Sequence, residues 1–139
     1  MKPLDFAKAV AVAVVLLVLN VLIAVAVVFG YSILIEPGHP REFYDAAALR
    51  IVPWCSHIAG TALFFGAGYF FARRRPQRNG FLFATTFTVL YAIIDAATVG
   101  FVGILGTAFA LSMLAKWLAA LLGAFLAART AGKPAPEIP

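Results

Sequence analysis

Long apolar stretches separated by short charged segments dominate this chain. Residues 9–35 and 51–72 carry no charged side chain, and residues 79–128 carry two. A helix that crosses a lipid bilayer needs about 20 mainly apolar residues, so each of the first two stretches predicts one spanning helix. The third stretch is too long for one span and predicts two, with a break at residues 100–103, where two glycines favour a tight turn.

This pattern predicts an all-α polytopic membrane protein, folded as a bundle of four transmembrane helices. The predicted helices cover about residues 6–33, 50–73, 80–99 and 103–129. An outer loop is predicted over residues 36–49, in which residues 41–48 have the composition of a short interfacial helix, and a cytoplasmic loop over residues 73–80. The four helices form one domain, residues 1–131, and the Pro-rich residues 132–139 are predicted to be a disordered cytoplasmic tail.

Lysine and arginine are distributed unequally between the predicted loops. One side of the membrane receives Lys2, Lys8, Arg73, Arg74, Arg75, Arg78, Arg129 and Lys133, and the other side receives Arg41 and Arg50. The positive-inside rule therefore predicts that both termini and the 73–80 loop are cytoplasmic, in the cytoplasmic (inner) membrane. The four arginines of that loop, Arg73, Arg74, Arg75 and Arg78, are also predicted to contact lipid head groups.

The composition argues against the soluble classes of protein. Of 139 residues, 63% are hydrophobic and 12% are charged, and the mean hydropathy is +0.97. Soluble globular chains average about 45–50% apolar and about 25% charged residues, so neither a soluble single-domain enzyme nor a disordered chain is expected. A net charge of +5 suggests nucleic acid in a soluble protein, but these basic residues flank apolar spans, and no nucleic-acid partner is expected.

The fourth predicted helix carries small residues in two neighbouring rows. One row is Ala115, Ala119, Gly123 and Ala127, and the other is Ala108, Ser112, Lys116, Ala120, Ala124 and Ala128. Small residues let helix backbones approach closely, and this close packing drives helix association in lipid. We therefore expect this face, and Lys116 with it, to point into the bundle.

Ionisable residues from three predicted helices are expected at one depth in the outer half of the bundle. At a rise of 1.5 Å per residue, His57, Asp95 and the side chain of Lys116 reach a similar level. An unpaired charge at a helix centre costs about 2.5–3.5 kcal/mol on insertion scales. We therefore predict a direct Asp95–Lys116 pair with His57 and Tyr91 as hydrogen-bond partners, and we count Asn20, the strongly polar residue of the first helix, among the candidate ligand- or proton-binding residues.

The predicted outer loop contains a second set of candidate residues. Glu36, His39, Glu42 and Asp45 bring oxygen and imidazole groups into one short segment, and such groups bind metal ions. The alternative, which we favour, is a solvated loop whose acids are balanced by Arg41 and Arg50. No metal and no cofactor is therefore expected.

Three classes of function are open. The favoured class is a non-catalytic interaction or accessory membrane protein, which needs only the bundle, its small-residue face and the Arg-rich loop. The first alternative is a small dimeric transporter or proton-linked ligand-binding protein using Asp95, Lys116 and His57. The second is a membrane-embedded enzyme acting on a lipid or quinone, which is less expected because no P-loop, GxSxG or HExxH motif occurs in a suitable context. Expected partners are membrane lipids and either a second copy or another membrane subunit.

Overall fold

The computed structural model describes residues 3–74, 79–100 and 106–131, and within these ranges the secondary structure is helical. The helices are α1 (Pro3–Gly30), α2 (Arg41–Arg74), α3 (Gly80–Gly100) and α4 (Thr107–Ala131), and a π-helical turn, Tyr31–Ile35, extends α1. All four are long and apolar enough to cross a membrane. The all-helical class and the four candidate spans predicted from the sequence are confirmed.

The second helix begins earlier than the sequence predicts. Residues 41–49, predicted as part of the outer loop, form the first turns of α2 without a break from the span. Its 34 residues have a length of about 51 Å, well beyond the roughly 30 Å hydrocarbon core. Charged residues limit the apolar span but do not end a helix, because arginine, glutamate and alanine are good helix formers.

Other predicted boundaries shift or lie outside the described residues. The fourth helix begins at Thr107 instead of near 103. Most of the predicted glycine break, residues 101–103, and the predicted disordered tail, residues 132–139, lie outside the part of the chain that the structure describes. The third helix, Gly80–Gly100, agrees with its predicted bounds of 80–99 within one residue.

Tyr44 holds the turn between the π-helical segment and α2. Its hydroxyl donates to the carbonyl oxygen of Glu36 at 2.7 Å and accepts from the backbone N–H of His39 at 3.1 Å. Between them, Gly38 has a φ of +87°, a conformation that glycine adopts without steric penalty. The connection from the first span to the second is thus short, and Tyr44 hydrogen-bonds to it on both sides of Gly38.

Contacts between helices show that consecutive helices run in opposite directions. Near one end of the bundle, Gly80 of α3 lies beside Ala72 of α2 and Ala124 of α4. Around the bundle the order is α1, α2, α4, α3, and the α2–α4 contact is the most extensive. We call the end that holds Pro3, Arg74, Gly80 and Ala131 the terminal end, and the opposite end, with the Tyr44 turn, the loop end.

Two glycines bring the backbones of α2 and α4 together. A Cβ atom at Gly68 would collide with the backbone of Ala120, and a Cβ atom at Gly123 would collide with the backbone of Phe65 and Tyr69. Backbone atoms cannot move aside as flexible side chains can, so this approach requires glycine at both positions. The close contact increases the van der Waals packing on which helix association in lipid depends.

The small-residue face of α4 is buried over a narrower arc than predicted. The buried members are Ser112, Lys116, Ala120, Gly123, Ala124 and Ala127, whereas Ala108, Ala115 and Ala128 are exposed. Lys116 has an exposed fraction of 0%, as its place on this face predicts. The predicted face is thus buried in part, since Ala108 and Ala128 lie near the ends of α4 and Ala115 lies at the border of the buried side.

The first prediction concerns the close α2–α4 approach. Gly68→Ala should destabilise the bundle by about 1–3 kcal/mol, because the added methyl group meets the backbone of Ala120. The matched control is Gly66→Ala on the same helix, where an added Cβ meets nothing within 4 Å, and it should be neutral or stabilising by up to about 1 kcal/mol. Thermal unfolding in detergent measures both. Equal melting temperatures for the two variants would contradict the interface.

Candidate functional site

One polar side chain from each helix meets at the centre of the bundle. The amino group of Lys116 (α4) donates to the hydroxyl oxygen of Ser56 (α2) at 3.0 Å. The side-chain amide of Asn20 (α1) donates to the same Ser56 oxygen at 3.1 Å and to the hydroxyl oxygen of Tyr91 (α3) at 3.0 Å. We call these four residues the polar network. Its bonds link all four helices at one level.

A glycine makes room for the lysine of this network. A Cβ atom at Gly60 would lie 2.6 Å from Cε and 3.5 Å from Nζ of Lys116. The ring of Tyr91 covers the amino group from another side, with Nζ 5.1 Å from the ring centroid. Both Lys116 and Tyr91 have an exposed fraction of 0%. The lysine is therefore enclosed by the protein and does not reach the lipid-facing surface.

Asp95 lies beside the polar network on α3, one turn from Tyr91. Its carboxyl interacts with the Tyr91 hydroxyl and, at longer range, with the Lys116 amino group. The predicted direct Asp95–Lys116 pair is wrong, since the ion pairs among the described residues involve neither side chain. The Ser56 hydroxyl takes the lysine's hydrogen bond instead, because the ring of Tyr91 packs against the amino group and Asp95 lies one turn nearer the loop end.

Toward the loop end, the helices separate around a cleft of about 1040 Å³. Its walls are mainly apolar, with Val21, Val25 and Phe29 on α1 facing Phe109 and Met113 on α4. The deep end of the cleft is the polar network, reached at Asn20, Ser56 and Tyr91, together with Asp95 and Ser112. Lys116 lies behind this surface and does not line the cleft.

His57 lines the cleft but does not take its predicted place. Its side chain makes no hydrogen bond to Asp95 or Lys116 among the described residues, and its ring packs edge-on against Trp54 with the centroids 6.3 Å apart. It lies on the same turn of α2 as Ser56, about 100° around the helix. Because of this angular offset, Ser56 contacts the other members of the network, whereas His57 lies at the side of the cleft.

Two buried oxygen atoms near the deep end lack a hydrogen-bond partner in the described structure. They are Oδ1 of Asn20 and Oγ of Ser112, in residues whose exposed fractions are 8% and 5%. A buried polar group without a partner costs about 1–3 kcal/mol. The cleft is the space beside them from which a water molecule or a ligand would supply that partner.

The outer-loop candidates do not gather into one site. Glu36 and His39 form a pair at 3.3 Å, while Asp45 pairs with Arg41 at 3.7 Å and Glu42 is exposed. The His39 ring stacks on Phe43, with 4.1 Å between the centroids. Across the described ranges, no group of three or more histidine, cysteine, aspartate or glutamate residues is placed to hold a metal ion.

The arginines predicted to contact lipid lie at the terminal end. Arg73 donates to the Tyr69 hydroxyl at 3.0 Å, and the guanidinium of Arg74 lies over the ring of Phe70, 4.9 Å from its centroid. Arg75 and Arg78 lie outside the described residues. The two described arginines are both exposed, and their lipid contacts stay a prediction.

Ser56 is the important residue that the sequence analysis missed. It accepts hydrogen bonds from two other helices. A serine in an apolar helix commonly bonds a carbonyl of its own helix, so its presence alone does not indicate a contact between helices. A signal was present in the spacing, because Ser56, Gly60 and Phe64 follow one another at intervals of four residues. Gly60 and Phe64 are both buried in the bundle, and Ser56 continues their row.

Comparisons with known proteins identify no relative of this chain. No protein-family model matches it, and neither a curated protein nor a solved structure gives a match. The chemistry of the polar network and the cleft is therefore the basis on which a function is proposed.

The hydrogen bond between Ser56 and Lys116 gives the second prediction. Ser56→Ala should destabilise the protein, because Lys116 and Asn20 both lose their shared acceptor. In a Lys116→Met background, which removes the amino group but keeps a flexible apolar chain, the same change should cost about 1 kcal/mol less. A double-mutant cycle of thermal stability in detergent measures this coupling.

The matched cycle uses Asp95→Asn with Lys116→Met. We expect a smaller coupling there, since the Asp95 carboxyl makes no ion pair with the lysine. An equal cost of Ser56→Ala in both backgrounds, with strong coupling in the Asp95 cycle, would show that the lysine bonds the carboxylate and not the serine.

Proposed function

We propose that this protein is an integral membrane protein that binds an amphiphilic small molecule in the cleft at its loop end. The observation that carries the proposal is a cleft of about 1040 Å³ with apolar walls and a polar deep end. Ligand sites typically have volumes of about 300–1,000 Å³ and are lined by apolar side chains with a few polar groups that orient the ligand. The cleft has this character, and its volume lies just above that size range.

The polar groups of the deep end favour a ligand whose head donates hydrogen bonds, and an ammonium head in particular. Asp95 brings a carboxyl to the cleft surface, and Asn20 and Ser112 hold the two oxygen atoms without partners. An ammonium group is a donor with no acceptor and carries the charge opposite to a carboxylate. An anionic head would meet Asp95 with like charge.

The basic residues near the cleft do not reverse this preference. Lys116 is enclosed behind the deep end and has no surface there. Arg41 lines the cleft near its mouth, but its side chain is 90% exposed and pairs with Asp45. A cationic ligand therefore meets the carboxyl of Asp95 at depth, while the positive charges lie behind it or at the rim.

This proposal selects the ligand-binding alternative over the accessory role that the sequence favoured. The small-residue face of α4, which the accessory role was said to need, contacts α2 within the same chain. Binding is also the first step of the transport alternative, in which the ligand would go on to cross the membrane. A second copy or another membrane subunit stays compatible with either, since the outward faces of the helices are apolar.

The third prediction tests the ligand class with a fluorescent probe. Dansylcadaverine carries an aromatic body and a primary ammonium, and its N-acetylated form has the same body without the charge. The purified protein in detergent should bind dansylcadaverine with a rise in fluorescence, and Asp95→Asn should weaken this binding about tenfold, because a hydrogen bond to a charged group is lost. The acetylated probe should bind weakly to both proteins.

The control variant is Glu42→Gln, which removes a carboxylate at the loop end outside the cleft. It should bind dansylcadaverine like the original protein. If the two probes bind equally, or if Asp95→Asn changes nothing, the cleft holds only lipid tails and the accessory role becomes the better proposal.

The fourth prediction concerns orientation, for which we propose the cytoplasmic membrane with both termini in the cytoplasm. In a Cys55→Ser background, His39→Cys at the loop end should react with a membrane-impermeant maleimide in intact cells. Arg129→Cys at the terminal end should react only after the cells are opened. The reverse pattern of labelling would invert the topology and place the mouth of the cleft on the cytoplasmic side.

A further inference from the structure

A second, smaller pocket lies at the terminal end, on the opposite side of the polar network from the cleft. Its volume is about 250 Å³. Three helices form it: Lys8, Ala11 and Val12 of α1, Phe71 and Arg74 of α2, and Gly80 and Phe83 of α3. Ala11 and Val12 follow Lys8 by three and four positions, and the two residues from α2 and the two from α3 are each three positions apart, which places each set on one side of its helix. The pocket is therefore a regular gap between three packed helices.

Two basic side chains and several apolar side chains line this pocket. Lys8 and Arg74 supply the charges, from two different helices. The aromatic rings of Phe71 and Phe83 pack together with 5.6 Å between their centroids, and Ala11 and Val12 complete the apolar part. Asp5, the acidic residue of α1, does not line the pocket. Two positive charges thus border a small crevice, and none of the described residues that line it is acidic.

We propose that this pocket binds an anionic phospholipid, with the phosphate between Lys8 and Arg74 and the start of an acyl chain against Ala11, Val12 and Phe83. Basic pockets between transmembrane helices are suited to phosphate head groups of lipids. Arg74 is the last residue of its span and Lys8 lies about one turn inside the start of its own, close to the level at which a lipid phosphate is found. A free phosphate ion would use the cations but would leave the apolar walls without a partner.

The structure also separates two neighbouring arginines. Arg73 donates to the Tyr69 hydroxyl and does not line the pocket, whereas Arg74 does. Consecutive residues of a helix point about 100° apart. Arg73 and Arg74 therefore carry the same charge, but only Arg74 lines the pocket. Arg129, stacked on Phe125 of α4, is a second basic residue outside the pocket. These two residues provide a charge-matched control.

Native mass spectrometry of the full chain, with added phosphatidylglycerol or with phosphatidylcholine of the same acyl chains, tests the site. The unaltered protein should retain phosphatidylglycerol preferentially. The double variant Lys8→Gln with Arg74→Gln should bind it at least about tenfold more weakly, since each basic residue near a lipid surface contributes to binding. The control double variant Arg73→Gln with Arg129→Gln loses the same charge and should bind like the original protein. Lys8→Arg should keep the affinity.

The alternative outcomes each overturn the proposal. Equal losses in the two double variants would mean that only the general charge of the terminal end attracts the lipid. Equal binding of the two lipids would mean that the crevice takes an acyl chain without reading the head group. Displacement of phosphatidylglycerol by millimolar inorganic phosphate would identify a free anion site. If the pocket double variant unfolds in detergent, Ala11→Phe, which fills the apolar part and leaves both charges, should itself release the lipid.

Discussion

Enclosing the amino group of Lys116 among apolar helices is the constraint on which the rest of the structure depends. An ionisable group at the centre of a membrane helix costs several kcal/mol unless it finds partners. The partners are the Ser56 hydroxyl, which accepts its hydrogen bond, and the ring of Tyr91, which covers it. Asn20 then joins Ser56 to Tyr91. Because each helix contributes one member, these bonds set the relative height of all four helices.

The same constraint explains the uneven packing along the bundle. Below the polar network, toward the terminal end, glycines allow α2 and α4 to meet backbone to backbone at Gly68 and Gly123. At the level of the network, Lys116 occupies the space that a side chain at position 60 would fill. Above it, toward the loop end, the helices separate and leave the cleft. The polar network thus lies between the closely packed half of the bundle and the half that contains the cleft.

The two halves offer opposite chemistry to a ligand. The cleft has a carboxyl and unpartnered oxygen atoms at its deep end, which suit a donor or a cation. The described lining of the terminal pocket includes a lysine and an arginine and no acid, a combination that suits a phosphate. This separation agrees with the positive-inside rule, by which lysine and arginine gather at one end of a membrane bundle. The rule does not restrict acidic residues, so they can line a site at the other end.

The order of residues along the chain was enough to predict an all-helical protein with four candidate spans and an inward-facing Lys116. Both follow from one-dimensional patterns, since hydropathy sets the length of a span and the helical period sets which residues share a face. The same patterns predicted the level at which Asp95, His57 and Lys116 lie, and the structure does bring Asp95 and His57 to one cleft with Lys116 beneath it.

Which side chains contact one another depends on how the four helices pack. The partner of Lys116 is Ser56 instead of Asp95, and His57 faces the side of the cleft, because contact depends on the rotation and separation of each helix about its axis. Those quantities come from packing at Gly60, Gly68 and Gly123, positions whose role is visible only when the facing helix is present. The cleft itself is a property of four helices together, and no pattern along a single helix contains it.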